Sequence, residues 1–153
     1  MTAHVAFTRE TYAVIKSFVS KAEDDHIVAV AGSFDLFFAG DMMTVRELHD
    51  GNNSVVAIIT DFEATVQTLA ERILQAQSCK WIHLVIVAVT EADLFDTLCA
   101  LSPAFCVTED DDVQRICNSA YVPTAVPSRS KEVENSREYL LHRLKKQGNV
   151  VPL

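Results

Sequence analysis

The sequence predicts an α/β fold: a Rossmann-like parallel sheet of five strands with helices on both faces and an extra N-terminal helix. Two observations predict this architecture. Five short apolar runs, rich in β-branched residues, are continuously hydrophobic, as strands covered on both faces require. The segments between them have helical periodicity and are long enough for one crossover helix each. The runs cover residues 27–31, 55–59, 84–89, 105–107 and 121–122.

The first helix precedes the first strand. Tyr12, Ile15 and Val19 follow helical spacing within a helix predicted over residues 8–22. We interpret residues 1–26 as a helical extension that lies on the core, and all later residues, 27–153, as one domain. Glycine and proline number only four each, so no internal boundary is indicated.

Two later helices have readable ends. A helix over residues 41–49 is expected to stop before Gly51. A helix over residues 91–101 follows Thr90, and Asp93 is placed to complete a capping box with that threonine.

The last helix is predicted over residues 130–147 and ends before Gly148. It is expected to pack across the sheet as the closing element. The segment before it, residues 123–130, is rich in proline and hydroxyl residues. This loop follows the carboxyl end of a strand, which is where open α/β sheets bind ligands.

Composition limits the function classes. The chain has 153 residues, 49% of them hydrophobic, with a formal net charge of −8. The acidic charge argues against a nucleic-acid partner, because such binding depends on basic patches. No apolar run approaches the roughly 20 residues of a membrane-spanning helix, and residues 1–10 lack signal-peptide features. We therefore expect a cytoplasmic protein without a membrane partner.

The four cysteines and five histidines do not form a redox or metal motif. The cysteine spacing fits neither a C-x-x-C pair nor a zinc knuckle, and the histidines show no H-x-x-x-H or H-E-x-x-H spacing. We therefore predict reduced core cysteines and no protein-ligated metal.

Residues 27–41 carry the most informative motif, which reads I-V-A-V-A-G-S-F-D-L-F-F-A-G-D. This stretch resembles the first motif of the cytidylyltransferase-like nucleotidyltransferase superfamily, G-x-F-D-hydrophobic-x-H-x-G-H. The matching positions are Gly32, Phe34, Asp35, Leu36 and Gly40.

Further segments resemble the later motifs of this superfamily in the same order along the chain. They are Glu71-Arg72 and residues 50–61, 79–85, 104–110 and 127–130. The resemblance covers about residues 27 to 146 and is closest to the glycerol-phosphate, ethanolamine-phosphate and heptose-phosphate branch. It implies a HUP-like nucleotidyltransferase fold.

The resemblance also implies a site for CTP or ATP and for a phosphorylated small molecule, with Mg²⁺ if the protein is active, and a homodimer. In the superfamily, the two histidines of H-x-G-H stabilise the charge that develops on the triphosphate. Here Phe38 and Asp41 stand at those catalytic positions, and Arg129 is a further catalytic candidate because a guanidinium can grip phosphate. The implied nucleotide-binding residues are Gly32, Ser33, Phe34, Asp35, Gly40, Arg72, Asp110, Ser128 and Ser130.

Several departures from the superfamily pattern surround this site. Phe38 offers no hydrogen-bond donor, and Asp41 places a carboxylate at the start of a helix. Glu109 replaces the glycine before Asp110, and the segment over residues 60–72 is short. For Asp41 the alternatives are stabilisation of the helix dipole, a divalent-cation ligand, and a rearranged site.

Other site residues also have structural alternatives. Arg129 either grips phosphate or lies in solvent, and Arg72 is the second cation expected to face phosphate. Phe34 is expected to fill the core and Asp35 to tie down its loop. Retention of these two residues therefore supports the fold more than the activity.

The departures favour a catalytically weak or inactive homologue that binds a nucleotide or phosphometabolite, or that acts as a regulator. The first alternative is a divergent transferase that moves CMP or AMP to a phosphorylated small molecule. The second is a structural or assembly subunit.

Overall fold

Helices and strands alternate along the chain. The structure, a computed structural model, describes residues 8–22, 26–35 and 39–127, with the backbone alone at residue 39. The elements are α1 (Arg9–Lys21), β1 (His26–Gly32), α2 (Ala39–Asp50), β2 (Asn53–Thr60), α3 (Leu69–Ser78), β3 (Leu84–Ala88), α4 (Glu91–Leu101), β4 (Phe105–Val107), α5 (Asp111–Ser119) and β5 (Thr124–Ala125).

The strands form one parallel sheet in the order β3-β2-β1-β4-β5. Strand β1 is central, and its Val28 lies opposite Val55 of β2 and Phe105 of β4. The chain runs outward from β1 to β3 and then returns through α4 to the other side of β1. The boundary between β1 and β4 is therefore a topological switch point, where open α/β sheets bind ligands. The predicted five-stranded parallel sheet is confirmed.

Helices cover both faces of the sheet. Ile58 of β2 packs with apolar side chains from α1, α4 and α5. Its neighbour Ala57 points to the opposite face, because side chains alternate along a strand, and packs with α3. On that face, Val55 also packs with Val45 of α2. Double coverage explains why these strands are continuously apolar.

Two helices begin with capping boxes. In α4, the Thr90 hydroxyl accepts a hydrogen bond from the Asp93 amide at 3.1 Å, and the Asp93 carboxylate accepts one from the Thr90 amide at 3.2 Å. Thr68 and Glu71 make the same exchange at the start of α3. The box predicted at Thr90 is confirmed.

The segment after β4 differs from the prediction. Residues 121–122 are not a strand: Tyr121 has a left-handed φ of 57° and is 95% exposed, because it forms the turn that ends α5. The strand follows at Thr124–Ala125 and pairs with Cys106 and Val107. Helix α5 lies between the fourth and fifth apolar runs, where one crossover helix was predicted without stated ends.

The terminal segments differ in how far they are described. Helix α1 buries Ile15 completely, and Phe18 and Val19 pack against the same core. The division of the chain at residue 26 stays a prediction. The helix predicted over residues 130–147 lies outside the described residues.

The helices in the described part of the chain have between 9 and 13 residues. None of them is both long and apolar enough to cross a bilayer, which requires about 20 apolar residues.

Cys99 is exposed, whereas Cys79, Cys106 and Cys117 are buried, so the prediction of core cysteines is wrong for Cys99 alone. A hydrogen bond with Cys117 and burial raise the pKa of the Cys106 thiol.

We expect Ellman's reagent to modify one thiol rapidly in the native protein, and the others at least about 100-fold more slowly, because they require opening of the core. Unfolding in guanidinium chloride should release all four.

The variant Cys99→Ser should abolish the rapid phase of this labelling, and Cys79→Ser should leave it unchanged. Rapid modification of two or more thiols in the folded protein would contradict the burial of the other three.

Candidate functional site

A cavity of about 290 Å³ opens at the carboxyl ends of β1 and β4, at the switch point. This volume is near the lower limit of small-molecule sites. Its walls come from the end of β1 and the loop after it, the first turns of α2, and the loop after β4. The described lining residues are 30–35, Asp41, Thr44, 107–110 and Pro127.

The loop after β1 forms one wall and has a constrained backbone. Phe34 has a φ of 56°, a left-handed conformation that bulky residues rarely adopt. Its ring is 8% exposed and packs with Ala57, Ile59 and Ile73. The ring thus anchors the loop in the core, as predicted for Phe34 from the sequence.

Asp35 joins this loop to the segment before α3. Its two carboxylate oxygens accept hydrogen bonds from the amides of Val66 and Gln67, each at 2.9 Å. The Asp35 amide donates to the Ser33 hydroxyl at 3.3 Å. The prediction that Asp35 ties down its loop is confirmed, and both of its carboxylate oxygens are engaged in doing so.

Arg72 does not face the pocket, contrary to the prediction that it faces phosphate. Its side chain is 1% exposed and donates to the backbone carbonyls of Ser33 at 2.9 Å and Thr60 at 3.1 Å. The same guanidinium forms an ion pair with Asp61. Arg72 therefore connects the pocket loop, the end of β2 and α3 from behind the pocket.

The opposite wall is formed by the loop between β4 and α5. The Thr108 hydroxyl accepts a hydrogen bond from the Asp110 amide at 3.1 Å. Asp110 caps α5, because its carboxylate accepts from the amides of Asp112 at 2.8 Å and Val113 at 3.2 Å. Part of the acidic run after β4 is thus explained by helix capping and by a favourable interaction with the helix dipole.

The charged side chains among the described lining residues are all carboxylates. They are Asp35, Asp41, Glu109 and Asp110. Asp41 lies in the first turn of α2, and Glu109 is exposed. On these walls the pocket therefore favours ligand groups that donate hydrogen bonds or carry positive charge over bare phosphate.

The described pocket residues provide no group of three ligands for a protein-held Mg²⁺ ion. Asp35 and Asp110 use their carboxylates for backbone amides. Within the described ranges, no three His, Cys, Asp or Glu side chains are grouped to hold a metal.

The structure brings together six of the residues implied for the site, which are Gly32, Ser33, Phe34, Asp35, Asp41 and Asp110. Gly40 lies in the first turn of α2, and Arg72 lies behind the pocket. Phe38, Ser128, Arg129 and Ser130 lie outside the described residues.

Sequence reasoning missed Thr44 and Thr108, which also line the pocket. Thr108 directly follows a predicted strand, which was a usable signal, because ligands bind beyond the carboxyl ends of strands. Thr44 lies one helical turn after Asp41, so the helix prediction could have placed both residues on one face.

The strand order and the pocket at its reversal define the protein class, a Rossmann-like α/β protein with a crevice at the switch point. The chain is 29% identical over 160 residues to ethanolamine-phosphate cytidylyltransferase of Saccharomyces cerevisiae, and the match covers 93% of this chain and 44% of that protein. The chain thus spans less than half the length of the curated relative. No protein-family model matches the chain.

A solved structure, the lipopolysaccharide core biosynthesis protein from Thermoplasma volcanium, has the same fold. Its TM-score is 0.56 at 16% identity, over 69% of this chain and 98% of that one. The sequence comparison agrees with the resemblance to the cytidylyltransferase-like superfamily, and the solved structure shows the shared fold.

Proposed function

We propose that the switch-point pocket binds a nucleotide or a phosphorylated metabolite, and that the protein performs little or no nucleotidyl transfer. The observation that carries the proposal is the position of Asp41. Its carboxylate lies on the pocket wall in the first turn of α2, where the resemblance implies a histidine.

The chemistry of nucleotidyl transfer makes this position decisive. Negative charge develops on the triphosphate as the acceptor oxygen attacks, and the protein accelerates the step through donors and cations placed around the phosphates. Loss of one such donor typically lowers the rate by about 10²–10³-fold. A carboxylate adds repulsion to that loss, so we expect transfer far below ordinary enzymatic rates.

The acidic loop on the other wall suits a different part of a ligand. A carboxylate such as that of Glu109 is an acceptor for hydroxyl, amino or ammonium groups, which occur in ribose, in cytosine and in amino-alcohol phosphates. The yeast relative is named for ethanolamine phosphate, which carries both an ammonium and a phosphate. We therefore expect a ligand of low net charge to bind more tightly than a free triphosphate.

Calorimetric titration with CTP, ATP, CMP and ethanolamine phosphate tests the binding half of the proposal. Binding of at least one of these compounds, with CMP tighter than CTP, would support it, and no heat with any of them would overturn it. A pyrophosphate-release assay with CTP, ethanolamine phosphate and Mg²⁺ tests the catalytic half. Release at ordinary enzymatic rates would overturn weak catalysis and favour the divergent transferase.

Asp41→Asn is expected to tighten CTP binding about tenfold, because it removes a negative charge near the phosphates while preserving side-chain size. Binding of uncharged cytidine should change less than about twofold. The matched control is Asp96→Asn, which neutralises an exposed carboxylate on α4 away from the pocket. Equal CTP affinity in the wild type and Asp41→Asn would show that Asp41 does not act on the phosphates.

A further inference from the structure

A basic and aromatic patch lies at the amino-terminal edge of the sheet, on the opposite edge from the pocket. The basic-aromatic patch comprises Arg46, His49, Lys80, Trp81 and His83. The first two come from the last turns of α2, and the other three from the segment between α3 and β3. None of these residues lines the switch-point pocket.

Trp81 is the centre of the patch. The Arg46 guanidinium lies 5.6 Å from the indole centroid and the Lys80 ammonium 5.0 Å from it, both within cation-π range. The ring is half-buried and packs against the apolar cluster of Val45, Val55 and Cys79. The core thus fixes the ring, and the ring holds two exposed cations close together.

The two histidines extend the patch along the same edge. The rings of His49 and His83 stack at 5.4 Å with an interplanar angle of 19°. The Val55 amide donates to Nδ1 of His83 at 3.0 Å, and the His83 amide donates to the Val55 carbonyl at 2.8 Å. His83 is therefore held by Val55 near the start of β2, and its position is set by the sheet.

Asp50, the last residue of α2, places a carboxylate beside the two patch residues of the same helix. One of its oxygens lies 3.6 Å from Nε of Arg46 and the other 3.5 Å from Nδ1 of His49. The Arg46 and Asp50 side chains are 62% and 61% exposed, so this pair leaves the guanidinium open to another carboxylate.

We propose that the basic-aromatic patch docks an acidic segment of a partner protein. Charge complementarity supports this occupant: on a chain of net charge −8, two permanent cations are gathered around one fixed indole. Trp and Arg are the residues most enriched at the energetic centres of protein interfaces. A long nucleic acid would meet the repulsion of the whole chain and gain few phosphate contacts, which favours a short acidic segment.

The single tryptophan of the sequence provides a direct readout, because Trp81 is the centre of the patch. The probe is a synthetic peptide of glutamates and aspartates around one leucine, titrated into the full chain while Trp81 emission is recorded. We expect a saturable change, with a half-saturation concentration that rises about tenfold between low and physiological salt. The double variant Arg46→Gln/Lys80→Gln should raise it by a further factor of about ten or more.

Arg115→Gln is the matched control, since Arg115 is an equally exposed arginine that pairs with Glu91 elsewhere on the surface. The control should bind the peptide like the wild type, and labelled-peptide anisotropy gives a second readout independent of Trp81. An absent response, or an equal loss in Arg115→Gln, would overturn the proposal.

Tighter binding of a DNA duplex or of phosphatidylserine vesicles than of the peptide would overturn it in favour of a phosphate ligand. Self-association that shields Trp81 and disappears in the double variant would overturn it in favour of a second copy of the chain. None of these outcomes depends on nucleotide binding in the pocket.

Discussion

Arg72→Met is expected to lower the free energy of unfolding by about 2–4 kcal/mol, because three charge-assisted hydrogen bonds are lost and the Ser33 and Thr60 carbonyls lose their donor. The guanidinium is 1% exposed, and it donates to the Ser33 and Thr60 carbonyls as well as to Asp61. Methionine preserves most of the side-chain volume, so the loss reports the polar network more than a cavity. Urea unfolding followed by circular dichroism measures it.

Arg115→Met is the control for this experiment. The Arg115 side chain is 57% exposed and pairs with Glu91 at the surface, where an ion pair contributes about 0–1 kcal/mol. Arg72→Lys should fall between wild type and Arg72→Met, because an ammonium keeps the charge but cannot reach all three acceptors. A loss below about 1 kcal/mol for Arg72→Met would show that the network does not stabilise the fold.

The role of Arg72 also restricts the chemistry of the pocket. A guanidinium with three protein acceptors, on the pocket loop and at the end of β2, cannot turn towards a ligand without breaking those contacts. The sequence resemblance predicted that Arg72 faces phosphate, but its actual partners are determined by tertiary packing. Sequence spacing predicts neither the burial of Arg72 nor its contact with Ser33, 39 positions away.

Much of the fold could be predicted because its signals are local. Continuous apolar runs mark strands covered on both faces, and β1 to β4 lie where those runs predict. The fifth strand was predicted too early in the chain. Val122 is buried because it packs into the core in the turn after α5, where its amide donates to the Cys117 carbonyl, and it is not part of the sheet. A two-residue strand such as Thr124–Ala125 has no periodicity to detect.

The candidate site was predictable to the extent that strand ends define it. Asp35 and Asp110 each follow a predicted strand, and the fold brings them to one pocket. Their use of carboxylate oxygens for backbone amides was readable for Asp35 as a loop contact, but not for Asp110 as a helix cap. The sequence therefore predicts the negative charge of the pocket, but not that the Asp110 carboxylate accepts hydrogen bonds from the first amides of α5.

Asp35→Ala is expected to lower the free energy of unfolding by about 2–4 kcal/mol, because two charge-assisted hydrogen bonds are lost together. The amides of Val66 and Gln67 lose their acceptor, and Gln67 is only 2% exposed, so water cannot readily replace the carboxylate. The segment before α3 should then separate from the pocket loop. Hydrogen exchange should show loss of protection at the amides of Val66 and Gln67, along with the lower stability in urea.

Asp35→Asn separates the contribution of charge from that of shape. Asparagine keeps one carbonyl acceptor of the same size. The loss in unfolding free energy should therefore be about half that of Asp35→Ala, and one of the two amides should stay protected from hydrogen exchange. Asp96→Ala, an exposed carboxylate on α4, should change stability by less than about 0.5 kcal/mol. Unchanged exchange at both amides in Asp35→Ala would contradict the role of Asp35. Selective exposure of residues 66 and 67 would instead show that the Asp35 carboxylate holds the pocket loop independently of any transfer chemistry.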